Sequence, residues 1–160
     1  MIFRKSAKFH VASLTKNLKT SDFECPCREC DGENQRIDLD LVSGIQAIWD
    51  AGKLPVGVVS GYRCRSHNYK IGGTTNSPHL NGLGADIYSI GRTSLDLAKL
   101  ALHYGGFRNF GLFKNGIHVD ERPWKGRLRI WTYPGAELTI PEFREIMEKE
   151  LEIFNGTICN

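Results

Sequence analysis

The segment SPHLNGLGAD, Ser77 to Asp86, sets a histidine and an aspartate seven positions apart among small residues. His79 and Asp86 flank Gly82, and a loop that bends there before entering a strand can turn both side chains toward one point. A catalytic zinc takes three nitrogen or oxygen ligands from the protein and leaves a fourth position to water. The pair therefore needs one more donor, and GIHVDER supplies it in His118. In a strand, His118 points away from the face of Ile117 and Val119, and the period of two puts Asp120 on the same side as His118. Any one of these residues alone would be read as an ordinary polar group of a loop or sheet edge; their combination points to a metal.

A second set of metal-ligating residues is Cys25, Cys27 and Cys30, in the pattern C-x-C-x-x-C. Five cysteines without an export signal argue against an obligatory disulfide framework. The cluster reads as a candidate structural zinc site, with Cys64 as fourth ligand, as thiols without metal, or as a partner for Cys64 in a disulfide outside the cell. Cys159 is expected to be unpaired.

The elements that must position these groups follow from periodicity. Leu41, Ile45, Ile48 and Trp49 predict a helix over Ile37 to Ala51, capped by Asp38 and stopped by Gly52. LPVGVVS predicts a buried strand from Leu54 to Ser60, followed by a brief helix from Ser66 to Ile71. A strand is expected from Gly84 to Ile90, then a helix from Ser94 to Tyr104 capped by Thr93. Strands over Phe107 to Phe113 and Gly116 to Glu121 should meet across Lys114 and Asn115. A strand at Leu128 to Thr132 and a charged amphipathic helix at Pro141 to Phe154 complete the reading. Helices early and late with strands between favour an α+β fold with a mainly antiparallel central sheet and flanking helices.

At 160 residues, without repeats or low-complexity tracts, one domain is the simplest account, with residues 1–15 as an extra strand or arm. The formal charge of +3 is too small a surplus to argue for nucleic acid. Arg4, Lys5, Lys8 and His10 interrupt any signal-peptide run, and no window resembles a membrane span. The expectation is a protein made in the cytoplasm, monomeric, with no nucleic-acid or membrane partner.

SGYRC (Ser60 to Cys64), His67-Asn68, Gly72-Gly73, NSPHLNGLGADI (Asn76 to Ile87) and IHVD (Ile117 to Asp120) resemble the zinc D-alanyl-D-alanine carboxypeptidases of the M15 peptidase family. The likeness runs from about Lys16 to Trp131. The wider superfamily also holds lysostaphin-type endopeptidases and the Hedgehog signalling domain, and its signature corresponds here to Ser77, His79, Asp86 and His118. NLKTSDFECPC is similar to the start of phage and prophage members, some of which are endolysins.

The resemblance implies a Hedgehog/DD-peptidase-like fold and a zinc ion on His79, Asp86 and His118. It implies hydrolysis of a peptide bond next to a D-amino acid in the peptidoglycan stem, as a carboxypeptidase or an endopeptidase. Such an enzyme would reach the cell wall after phage-type release, or as part of a virion. Many relatives carry an acid three positions before the second histidine, where this chain has Asn115. Asp120 is the candidate proton shuttle in its place; otherwise it pairs with Arg122 or Arg63, or orients a ligand imidazole. The resemblance also suggests that Arg63 meets the substrate carboxylate or the developing oxyanion. Ser77 and Tyr62 are expected to touch substrate or support its pocket. Trp124, Trp131 and Tyr133 form a platform or pack on the sheet. Two alternatives remain open: a non-catalytic zinc-containing wall- or protein-binding module of the same fold, and an adaptor built on the cysteine cluster.

Overall fold

Alternating apolar and polar residues in the central segments give a sheet with one dry face. Val56 and Val58, Ala85 and Ile87, Phe110 and Leu112, and Ile117 and Val119 pack on that side. The computed structural model describes residues 2–5, 12–27, 30, 35–123 and 125–158. In chain order its elements are β1 (Ile2–Lys5), β2 (Gln35–Asp38), α1 (Leu39–Gly52), β3 (Val56–Ser60), α2 (Arg65–Lys70), β4 (Gly84–Ser89), α3 (Ser94–His103), β5 (Asn109–Phe113), β6 (Gly116–Asp120), β7 (Arg129–Thr132) and α4 (Ile140–Ile158). Short 3-10 turns stand at Thr20–Phe23 and Pro78–Asn81.

The central sheet has the order β3-β4-β6-β5-β7, while β1 and β2 form a separate antiparallel ribbon. Its pairings are antiparallel except for β5 with β7, which run parallel. α1, α3 and α4 supply Ile45, Ile48, Leu97, Ala101, Phe143 and Met147 to the core. The α+β architecture, mainly antiparallel with flanking helices, is the one that the patterning predicts.

Several boundaries shift by a few residues from expectation, among them the start of β5 at Asn109 and the end of α4 at Ile158, and the two at the ends of α1 have a clear physical reason. Ile37 belongs to β2, and the helix starts at Leu39, because Asp38 is extended and its carboxylate accepts from the Asp40 and Leu41 amides at 3.0 and 3.2 Å. The left-handed residue that closes α1 is Lys53 (φ 55°), one position beyond the glycine expected to stop it. Thr93 caps α3 as predicted, accepting from the Asp96 amide at 3.1 Å.

Register sets the functional face. Ser60 pairs with Asp86 on β4, Asp86 with His118 on β6, His118 with Gly111 on β5, and Gly111 with Trp131 on β7. These residues form one row across all five strands, on the face opposite the helices. A register shift between Val58 and Ser60 in β3 aligns Ser60 with that row.

Candidate active site

His79 is brought to this row by the 3-10 turn Pro78–Asn81, which ends at Gly82 in the left-handed region (φ 71°). A β-carbon at Gly82 would stand 2.1 Å from the Arg36 carbonyl oxygen, so only glycine fits the bend between the two candidate ligands. The Gly82 carbonyl accepts from the Asp38 amide at 3.0 Å, which ties the turn to the start of α1.

The buried His79 imidazole faces the Gly61 carbonyl through Nδ1 at 2.6 Å, which assigns the proton to Nδ1 and leaves Nε2 as a lone-pair donor. Nε2 lies 3.0 Å from His118 Nδ1 and 3.3 Å from Asp86 Oδ1. His118 Nδ1 is 2.9 Å from the same carboxylate oxygen. Three donor atoms therefore converge in the pattern of a three-ligand metal site. Burial pushes the His79 pKa down, keeping it neutral as a ligand must be. Burial acts the other way on the Asp86 carboxyl, but the His118 and His79 rings beside it outweigh burial and hold the group ionised. Burial lowers the His118 pKa, but the Asp120 and Asp86 carboxylates outweigh it and raise it, so a metal ion there would displace a proton from this ring; two imidazoles and one carboxylate then suit zinc.

Arg63 donates through Nη2 to Asp86 Oδ2 and through Nε to Ser60 Oγ at 2.8 Å. It thereby holds the carboxylate oxygen that faces away from the histidines, and its guanidinium also lines the cleft. Asp120 stands behind His118: Oδ2 lies 3.1 Å from His118 Nε2, the nitrogen turned away from Asp86 and His79. Both Asp120 oxygens are also held by Arg122, with Nε at 2.9 Å from Oδ1 and Nη2 at 2.7 Å from Oδ2. Asp120 is 1% exposed and does not line the cleft. Of the roles weighed for it, this geometry fits orientation of a ligand imidazole and pairing with Arg122, and not a shuttle in contact with substrate.

The cleft above the row measures about 580 Å³, with Arg63, Ser77, Arg122, Trp131 and Tyr133 around the two histidines. Ser77 is buried and starts the turn that carries His79. Tyr62 lines a different depression with Arg36 and Arg65; its amide bonds back to the Phe23 carbonyl while the flanking Gly61 and Arg63 face His79. Trp131 sits 5.2 Å from the His118 ring, and Tyr133 lies edge-on to it at 6.4 Å, so both form a wall of the cleft. Trp124 and Cys159 lie outside the described residues. Asn115 occupies the β5–β6 turn at φ 64°, a conformation that asparagine tolerates, and it does not reach the cleft.

Two contributors escaped the reading of the sequence. Gly111 has no side chain where a β-carbon would fall 2.5 Å from Trp131 Nε1, and so it lets the indole lie across the sheet. Arg127, Arg129 and Arg144 join Arg122 and Trp131 around a second depression of about 370 Å³ that shares the cleft's Arg122 and Trp131.

The model of the peptidase M15 family matches residues 9–120. The chain belongs to the peptidase M15 family. The match spans both histidines, Asp86 and the cysteine cluster, and such peptidases depend on zinc. A search of curated proteins gives no significant match. Family and donor set together support a metallopeptidase, and His79, Asp86 and His118 are a group that could hold its metal. Among the described residues no helix is long and apolar enough to cross a membrane.

Proposed function

We propose that this M15 peptidase hydrolyses peptide bonds next to D-amino acids in the stem of bacterial peptidoglycan, as a lysin of phage type or a wall-remodelling enzyme. The observation that carries the reading is the convergence of His79 Nε2, His118 Nδ1 and Asp86 Oδ1 at the floor of an open cleft. Zinc held there would acidify a water and polarise the scissile carbonyl.

The surrounding residues each have a task. Gly61 fixes the His79 tautomer through its carbonyl, and Asp120 does the same for His118. Arg63 holds Asp86 and offers positive charge at the cleft wall to a substrate carboxylate or a developing oxyanion. Burial raises the pKa of Tyr133, which keeps its hydroxyl protonated as a hydrogen-bond donor over the site. Trp131 gives the peptide a flat apolar surface. The neighbouring arginine-lined depression suits a stem peptide, whose free carboxylates extend beyond the scissile bond.

A second reading has one observation in its favour. Among the described residues no carboxylate lines the cleft. A wall-binding module that keeps the metal without turnover would have this appearance. The deciding experiment incubates zinc-loaded protein with purified peptidoglycan and with a D-Ala-D-Ala-ended peptide, and follows release of amino groups and of D-alanine. Release from the wall alone indicates an endopeptidase, and free D-alanine a carboxypeptidase. Retention on peptidoglycan with no release from either substrate would overturn the enzymatic reading in favour of the binding module.

A further inference from the structure

Outside the cleft, Cys25, Cys27, Cys30 and Cys64 bring their sulfurs within 4.8 Å of one another. Cys27 Sγ is central, 3.4 Å from Cys25, 3.1 Å from Cys30 and 3.4 Å from Cys64. None of the four is in a disulfide, and the separations far exceed the bonded distance of about 2.05 Å. Thiols are weak hydrogen-bond partners, so mutual attraction does not account for gathering four of them, three only half-buried, at one point.

The arrangement does suit a cation. Zinc with four sulfurs at about 2.3 Å needs sulfur–sulfur edges of about 3.8 Å, within the spread observed here. Backbone amides are aimed at the sulfurs as well: Cys64 N–H at Cys25 Sγ (3.4 Å) and His67 N–H at Cys64 Sγ (3.3 Å). Three ligands come from one short segment and the fourth from the start of α2, 34 residues beyond Cys30 in the sequence, so the site is built by tertiary structure.

We propose that Cys25, Cys27, Cys30 and Cys64 form a closed tetrathiolate site for a structural zinc ion, separate from the open site in the cleft. Binding displaces the thiol protons to solvent, and four sulfur ligands leave no position for substrate. The ion clamps the segment after Phe23 onto residues 61–64. The Tyr62 amide already bonds to the Phe23 carbonyl there, the Gly61 carbonyl orients His79, and the Arg63 amide donates to the His79 carbonyl. Residues that shape the cleft are thus fixed from behind by a metal that touches no substrate. Metal binding by the cysteines stands independently of the proposed activity; only this positioning role rests on it.

The test is zinc content of protein purified under reducing conditions, for wild type, His118→Ala and Cys27→Ser, together with the absorption spectrum of each after cobalt replaces zinc. The expected result is two zinc ions per wild-type chain and one in each variant. Cobalt-loaded His118→Ala should keep intense thiolate-to-cobalt charge-transfer bands in the near ultraviolet, which needs no cysteine variant to fold. Absence of those bands in His118→Ala, or zinc content unchanged by Cys27→Ser in folded protein, overturns the proposal. One zinc in wild type and still one, with its thiolate bands, in His118→Ala supports the cysteine site while sinking the cleft site, so the two claims fail separately.

Discussion

At the scale of single residues, the site depends on which nitrogen each histidine presents. His118 turns Nδ1 toward Asp86 and His79 because Asp120, itself held by Arg122, partners Nε2 from behind. Asp120→Asn should therefore weaken zinc binding by about 10–100-fold, the usual effect of losing a partner behind a ligating imidazole. Competition with a chelator of known affinity measures it, and the activity lost should return when zinc is raised. A proton shuttle would behave otherwise, keeping its metal and losing turnover at any zinc level. Gly111→Ala is the matching steric prediction. Its new methyl meets the Trp131 indole, and overpacking should cost about 1–3 kcal/mol by thermal or denaturant unfolding, with KM raised as the ring leaves the cleft wall.

Among the secondary-structure elements, the end of β6 continues into a charged crossing. Burial, with the Asp38, Asp40 and Asp120 carboxylates nearby, pushes the Glu121 pKa up to about 7. Between its ordinary value near 4.5 and about 7, the folded state holds a proton that the unfolded state has released, so this residue's contribution falls as pH rises through that window. Glu121→Gln should raise the melting temperature above pH 7 and converge with wild type toward pH 4.5; an equal gain at both pH values would contradict the assignment. The elements also show what a sequence can reveal. The helices and strands were legible because their apolar periods are local, and so were His79, Asp86 and His118, whose spacing places them around a bend and in a strand. The row linking Ser60, Asp86, His118, Gly111 and Trp131 was not, because register is set by pairing between distant segments and by the β3 irregularity. Asp120 could be assigned to the correct face from its period, but its place behind the imidazole depends on Arg122, and Tyr62 is turned away by a backbone bond to Phe23.

For the whole molecule, the design separates support from chemistry. One face of the sheet carries the core against α1, α3 and α4, while the other presents the donor row to an open cleft. The two candidate metal sites share the turn at residues 61–64, which supplies Cys64 to one and orients His79 at the other. The central claim is that His79, Asp86 and His118 hold the zinc that performs hydrolysis. The most direct test removes all metal from the protein, returns zinc in steps, and follows peptide-bond cleavage in peptidoglycan for wild type and His118→Ala. The prediction is that wild-type cleavage appears in proportion to zinc bound in the cleft, while folded His118→Ala lacks that zinc and stays inactive. Cleavage by metal-free wild type, or by His118→Ala at the wild-type rate, would contradict it.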